Sequence, residues 1–127
     1  MQPQPLIAVN DVPASSQWYQ RLLNCQSGHG GDEYERLIAD SGELILQLHH
    51  WDAHEHPYMG DPELPRGNGV LLWFRVEGFE DAVARANAMS AQVLDGPMVN
   101  PNANHREIWI KDPDGYVVVL AGATGDL

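Results

Sequence analysis

The sequence predicts an α+β fold made of two successive modules. Val9-Asn10-Asp11-Val12 and Val76-Glu77-Gly78-Phe79 open similar stretches, offset by 67 residues (76 minus 9) in a chain of 127. Each stretch leads from a short apolar run into a helical pattern and then into strand-like segments. Late in each half comes a hairpin turn, Asp40-Ser41-Gly42 and then Asp112-Pro113-Asp114-Gly115. We place module one at about 4–50, a linker at about 51–68 and module two at about 69–122, all within one domain. A cleft between such modules would be walled by equivalent strands.

The first module opens with Pro5 to Val9, an apolar run that Asn10-Asp11 ends as a strand feeding a helix start. Pro13 suits a first helical turn. Ala14, Trp18 and Leu22 recur at spacing four with Tyr19 and Leu23 beside them, while Ser16, Gln20 and Arg21 supply the wet side. A helix near 13–23 follows, with Asn24 as a left-handed stop. Glu33 to Ala39 and Glu43 to His49 then flank the first turn, whose Gly42 suits a glycine bulge.

The second module repeats the order. Val70 to Val76 is a strand, and Phe79, Ala82, Val83, Ala86 and Met89 make the stripe of a helix near 79–90. Gln92 to Leu94 is a short candidate strand. Arg106 to Lys111 and Tyr116 to Ala121 flank the second turn, where Pro113 presets one corner and Gly115 supplies positive φ. Two stretches break the symmetry: Trp51 to Asn68, with three prolines, and Gly96 to Asn104, with Pro97, Pro101 and three asparagines. Both are expected to be loops.

Composition narrows the function. Seven Lys and Arg stand against 18 Asp and Glu, a formal charge of −11. Nucleic-acid phosphates and anionic membrane surfaces would be repelled, and no basic patch is visible. No apolar run approaches the ~18 residues of a membrane span. Residues 1–30 lack the basic start and apolar core of a secretory signal, and the lone Cys25 cannot form an intrachain disulfide. A reducing, cytoplasmic setting is therefore expected, with Cys25 a small buried hydrophobe. The chain also lacks a Ser/His/Asp order, a Gly-rich phosphate loop and a CxxC pair.

Val9-Asn10-Asp11 before a helix holding Trp18-Tyr19 and ending Leu23-Asn24, with Arg106-Glu107-Ile108-Trp109 running into Asp112-Pro113-Asp114-Gly115-Tyr116, resembles the vicinal oxygen chelate superfamily. That superfamily includes glyoxalase I, extradiol dioxygenases, fosfomycin-resistance enzymes and bleomycin-resistance binding proteins. The likeness covers about residues 4 to 122. It implies paired βαβββ modules whose curled mixed sheets form a cleft, and a homodimer. It does not imply one chemistry, because the scaffold hosts lyases, isomerases, oxygenases and plain binders.

The resemblance also implies a divalent metal held by a His or Gln from the first strand of each module and a Glu from the last. Here those positions fall on Gln4, Gln47, Leu71 and Val119. Leucine and valine carry no donor, and two neutral amides hold a hard cation poorly. The metal site is expected to be degraded, with no cofactor. The alternative is a zinc, nickel, manganese or iron ion on His49, His50, His54 and His56, whose bland reading is a solvated histidine-rich loop.

Side-chain alternation then suggests what a cleft would offer. A bulge at Gly115 sets Trp109 opposite Val119 and Lys111 opposite Val117, leaving Ile108, Ile110, Val118 and Leu120 for the helix. Glu107, Trp109 and Val119 then face the cleft, joined by Leu71 and Trp73. In module one the same logic sets Glu35 opposite Gln47 and Glu33 opposite His49. Trp73 and Trp109 would stack a flat organic molecule, with Gln47, His49 or Glu107 as polar contacts. Their alternative role is in the core or a dimer interface. Two classes follow: a metal-free binder of a small, partly aromatic molecule, and an enzyme with either a divalent metal or Glu35, Glu107 or His105 as general base.

Overall fold

A computed structural model of the chain describes residues 1–51 and 61–127. Two compact units, Met1–Pro65 and Arg66–Leu127, each carry a four-stranded mixed sheet and one helix among the described residues.

The first unit runs β1 (Leu6–Val9), α1 (Val12–Leu23), β2 (Gln26–Ser27), β3 (Tyr34–Ile38) and β4 (Leu44–His50), with sheet order β1-β4-β3-β2 and β1 parallel to β4. Asp11 caps the helix by accepting a hydrogen bond from the Ala14 N–H at 3.0 Å, and Asn24 ends it with φ 52°. Both act as caps because a short polar side chain satisfies orphan amides and tolerates the left-handed region.

The buried stripe of α1 differs from the one expected. Val12, Ser15, Ser16, Tyr19 and Leu22 are buried while Ala14 is exposed. Ser16 is inside because its hydroxyl donates to the buried Glu35 carboxylate at 2.8 Å, a contact that hydrophobic periodicity does not register.

The register of β3 on β4 also differs by one. Arg36, not Glu35, lies opposite Gln47, Tyr34 lies opposite His49, and Glu35 lies opposite Leu48. A register irregularity at Leu37/Ile38 shifts the strand, and with period-two alternation one residue of slip moves every side chain to the other face. Glu35 thus shares the face of Leu46 and Leu48, both fully buried under α1.

The second unit repeats the order: β5 (Leu72–Arg75), α2 (Phe79–Ala88), β6 (Gln92–Asn100), β7 (His105–Lys111) and β8 (Val117–Ala121). Its sheet runs β5-β8-β7-β6 with β5 parallel to β8, the first unit's pattern again. The turn after β7 forms on Asp112, whose Oδ1 accepts from the Asp114 and Tyr116 N–H groups, each at 2.8 Å, with Gly115 at φ 97°. Trp109 pairs with Val119 and Lys111 with Val117, as alternation predicts. Ile108, Ile110, Val118 and Leu120 are fully buried, as are Ala82 and Ala86 of α2.

The stretch expected as a loop from Gly96 is largely strand. β6 extends to Asn100 through Gly96-Pro97, with register breaks at Val93/Asp95 and Asp95/Met98. A proline is tolerated there because β6 is the sheet's edge and the ladder is already broken by bulges. Cys25 is buried, and burial pushes its thiol up to about 11, the state of an inert core residue. No helix among the described residues is long and apolar enough to cross a membrane.

Gly96 lies where β6 crosses the backbone of β7. Its φ is +86°, and an added Cβ would sit 2.6 Å from the Glu107 carbonyl oxygen and 3.2 Å from the Ile108 Cα. Both are backbone atoms that cannot swing aside. Gly96→Ala is therefore expected to cost about 2 kcal/mol or more, read as a lower urea midpoint with an unchanged slope.

Candidate functional site

In the first unit the polar residues on the face away from α1 include Tyr34, Arg36, Gln47 and His49. The Tyr34 hydroxyl donates to Gln47 Oε1 at 2.5 Å, and Gln47 Nε2 donates to the Gln4 carbonyl oxygen at 3.0 Å. The amide is thus satisfied at both ends. Tyr34 was not singled out by sequence; the register shift brings its ring edge-on to His29 and within 6.5 Å of His49. His49 Nδ1 lies 2.6 Å from the His50 carbonyl oxygen, and the two histidines, adjacent on β4, point to opposite faces. His54 and His56 lie outside the described residues.

Glu35 does not face that group, as its register with Gln47 would have required. Only 3% exposed, it accepts from the Ser16 and Ser27 hydroxyls at 2.8 and 2.7 Å and from the backbone N–H groups of His29, Gly30 and Arg36. Burial raises its pKa, but the bonds from Gly30, Ser27, Ser16 and Arg36 outweigh that and hold the carboxyl below its ordinary value. It pins the 27–31 turn and α1 to β3, a structural anchor with no lone pair left over for base chemistry.

The second unit builds a different group. Trp73, Val119, Trp109 and Asp95 occupy one row across four strands, because β5 pairs Trp73 with Val119 and β7 pairs Trp109 with both Val119 and Asp95. The row lies on the face away from α2. Trp73 is 44% exposed, Trp109 half-buried and Val119 fully buried between them in register. Leu71, at the entrance to β5, is 41% exposed.

Beside this row Glu107 is 1% exposed and fully hydrogen-bonded. Oε1 accepts from Trp109 Nε1 at 3.0 Å, and Oε2 accepts from Asn100 Nδ2 at 2.8 Å and lies 2.6 Å from His105 Nε2. Burial pulls the Glu107 pKa up, yet the bonds from Trp109, Asn100 and His105, with the histidine's charge, leave it below the ordinary value. An ionised carboxylate has only lone pairs to offer, so His105 Nε2 must carry the proton of that contact. The His105 ring then stands tilted against Trp73, centroids 5.9 Å apart. Glu107 orients its neighbours and is itself too enclosed to meet a substrate.

Alternation along β7 brings His105, Glu107 and Trp109 to one face, a signal legible in sequence. Asn100 carries no such signal, because its segment reads as a loop in sequence.

The donor set does not fit a family-type metal centre. Leu71 and Val119 offer no ligand atom, Val119 is wholly buried, and Gln47 is bonded to Tyr34 and Gln4. No group of three His, Cys, Asp or Glu close enough to hold an ion occurs among the described residues.

A hollow of about 500 Å³ lies between α2 and β6, lined by Phe79, Val83, Pro97, Met98 and Val99 with Glu80 and Arg106. Its cation is already engaged. The Arg106 guanidinium is 3.2 Å from Glu80, 3.4 Å from Asp126 and 4.9 Å from the Phe79 ring centroid. The polar groups of the hollow are paired with one another, whereas beside the tryptophan row His105 keeps one ring nitrogen without a hydrogen bond among the described residues.

A model of the Glyoxalase/Bleomycin resistance protein/Dioxygenase superfamily matches residues 2–120. Among solved structures, a protein of unknown function from Agrobacterium tumefaciens is 16% identical with TM-score 0.76, covering 97% of this chain and 94% of its own. The genomically encoded fosfomycin resistance protein FosX of Listeria monocytogenes is 12% identical, TM-score 0.71, with 98% and 93% covered. TioX of Micromonospora is 14% identical, TM-score 0.70, with 96% and 98% covered. These are likenesses of fold. No curated protein matches the sequence.

Both buried carboxylates hold depressed pKa values, so each stabilises the fold above the unfolded glutamate range, near 4.3, and that contribution disappears as pH falls through the folded value. Urea unfolding across pH should show stability dropping below about pH 4. Glu35→Gln and Glu107→Gln are each expected to flatten that slope and to cost roughly 1.5–3 kcal/mol at neutral pH.

Proposed function

The chain belongs to the Glyoxalase/Bleomycin resistance protein/Dioxygenase superfamily, and on that premise we propose that it binds a small, partly aromatic organic molecule without a resident metal. The observation that carries this is the row of Trp73, Val119 and Trp109, bordered by the polar group that Glu107 holds in place. Two indoles on either side of Val119 in the row offer an apolar platform, and Trp109 is fixed in orientation by its bond to Glu107. Leu71 and Val119, where the family places metal ligands, extend that apolar wall. Membership in a superfamily whose name includes bleomycin resistance proteins supports binding of an organic compound as the role.

The competing class is a metal-dependent lyase, isomerase or oxygenase. Elemental analysis of protein purified without a histidine tag separates the two. Near-stoichiometric nickel, zinc, manganese or iron would overturn the metal-free reading.

We also infer a homodimer acting in the cytoplasm. Val93, Leu94 and Val99 on the edge strand β6 and Val70 and Leu71 before β5 are exposed, and a second copy would cover such apolar surface. Sedimentation showing only monomer at micromolar concentration would contradict this.

Binding is read by tryptophan quenching with a panel of planar compounds. Trp73→Ala is expected to weaken a hit by about 1–3 kcal/mol, the scale of one lost aromatic contact, with Trp109→Phe showing a similar loss. Gln4→Ala should leave affinity unchanged. Retained binding in both tryptophan variants, with loss in Gln4→Ala, would place the site elsewhere.

A further inference from the structure

Glu107 takes the proton-bearing Nε2 of His105, which leaves Nδ1 as the free end of the ring. No hydrogen bond to Nδ1 forms among the described residues. The His105 side chain is 13% exposed, so solvent or a ligand reaches it, and its neighbour is the exposed ring of Trp73. In the neutral imidazole with Nε2 protonated, Nδ1 is an acceptor only. Glu107, Asn100 and Trp109 form one connected set, so the imidazole cannot flip without turning a C–H toward Glu107 and leaving a buried carboxylate short of a donor.

We propose that His105 selects the ligand: its Nδ1 accepts a hydrogen bond from a ring hydroxyl or ring N–H of a planar molecule lying on Trp73. The site then takes phenols and N–H heteroaromatics in preference to their O- or N-methylated counterparts. This rests on the reading that the tryptophan face binds planar molecules, and goes beyond it by fixing the polar group the molecule must carry. The direction of selection follows from the acceptor. A methyl ether of the same shape keeps the stacking area but leaves Nδ1 unpaired against an apolar neighbour. An anionic ring substituent would face the ionised Glu107 behind the imidazole. Sites built to pair one buried polar group reject the analogue lacking it far more strongly than sites that sense size alone.

The test uses 2-naphthol and 2-methoxynaphthalene as probes, with tryptophan quenching as the readout and the full chain as the protein. The expected result is that both quench and 2-naphthol binds at least about tenfold tighter. His105→Phe, which keeps a ring beside Trp73 but no acceptor, should bring the two probes within about twofold of each other. Equal affinities in the unaltered protein would overturn the role of His105 while leaving the aromatic platform standing. Absence of quenching by both probes would overturn the platform and the inference together.

Nitrogen-15 NMR of the free protein gives an arm that needs no ligand. The neutral imidazole of His105 should be the Nε2–H tautomer, because Nε2 faces the Glu107 carboxylate. An Nδ1–H tautomer would overturn the proposal. Should His105→Phe fail to fold, as judged by circular dichroism, the Nδ1 resonance of the unaltered protein decides. It should move on saturation with 2-naphthol, and an unmoved resonance counts against the proposal.

Discussion

A carboxylate buried to 1% exposure sets the terms for the second unit. Leaving such a charge unpaired inside a protein costs several kcal/mol, so Glu107 is tenable only while its donors stay in place. Those donors come from Asn100 on β6 and from His105 and Trp109 on β7, which flank Glu107 at two-residue spacing. The constraint therefore runs outward. It fixes the indole of Trp109, chooses the tautomer of His105 and ties the edge strand to its neighbour just beyond the register breaks of β6. Gly96 belongs to the same constraint, because only a residue without a Cβ lets β6 pass the Glu107 backbone this closely.

The first unit solves the same electrostatic problem with the opposite consequence. Glu35 also sits buried and ionised, but its donors are two hydroxyls and three backbone amides. The backbone amides have no second end to offer, and the Ser16 oxygen already accepts from Gln20. The carboxylate organises a turn and a helix and presents nothing outward. Glu107 binds through side chains that each keep a face or an atom on the other side, an indole surface in one case and an imidazole nitrogen in another. What the donors can do with their remaining surface separates an anchor from a candidate site.

Most of the architecture is legible in the sequence because its signals are local and mutually consistent. Asp11 and Asn24 bracket one helix, and Asp112 to Gly115 sets a register in which Trp109 meets Val119. Sequence fails where a tertiary contact overrides a local rule. Ser16 reads as solvent-facing until Glu35 is known to lie beneath it. Glu35 reads as facing Gln47 until the irregularity at Leu37/Ile38 reverses the faces of β3. Gly96-Pro97 reads as a loop because a bulged edge strand uses the same residue types as one. On the site, Trp73, Glu107 and Trp109 are placed by alternation alone. The contact between His105 and Glu107 depends on rotamers and on an asparagine from a strand that local pattern does not reveal.

On the proposed reading, in which the family's metal-ligand positions fall on Leu71 and Val119, recognition at those positions is of a different kind. A metal supplies charge and directional bonds, whereas an apolar wall supplies area. A planar molecule burying about 150–250 Å² at about 25 cal/mol per Å² gains roughly 4–6 kcal/mol, which corresponds to affinities between about millimolar and tens of micromolar. Costs of immobilisation lower that further. Area alone therefore gives weak and indiscriminate binding, since every flat ring of similar size gains the same amount. Selectivity has to come from the few polar atoms that border the wall. In the proposed site the group near Trp73 placed for this is the imidazole of His105, held by the buried carboxylate of Glu107. Because that orientation is set within the unit, the acceptor is in place before a ligand arrives, and binding does not have to bear the entropy of organising it.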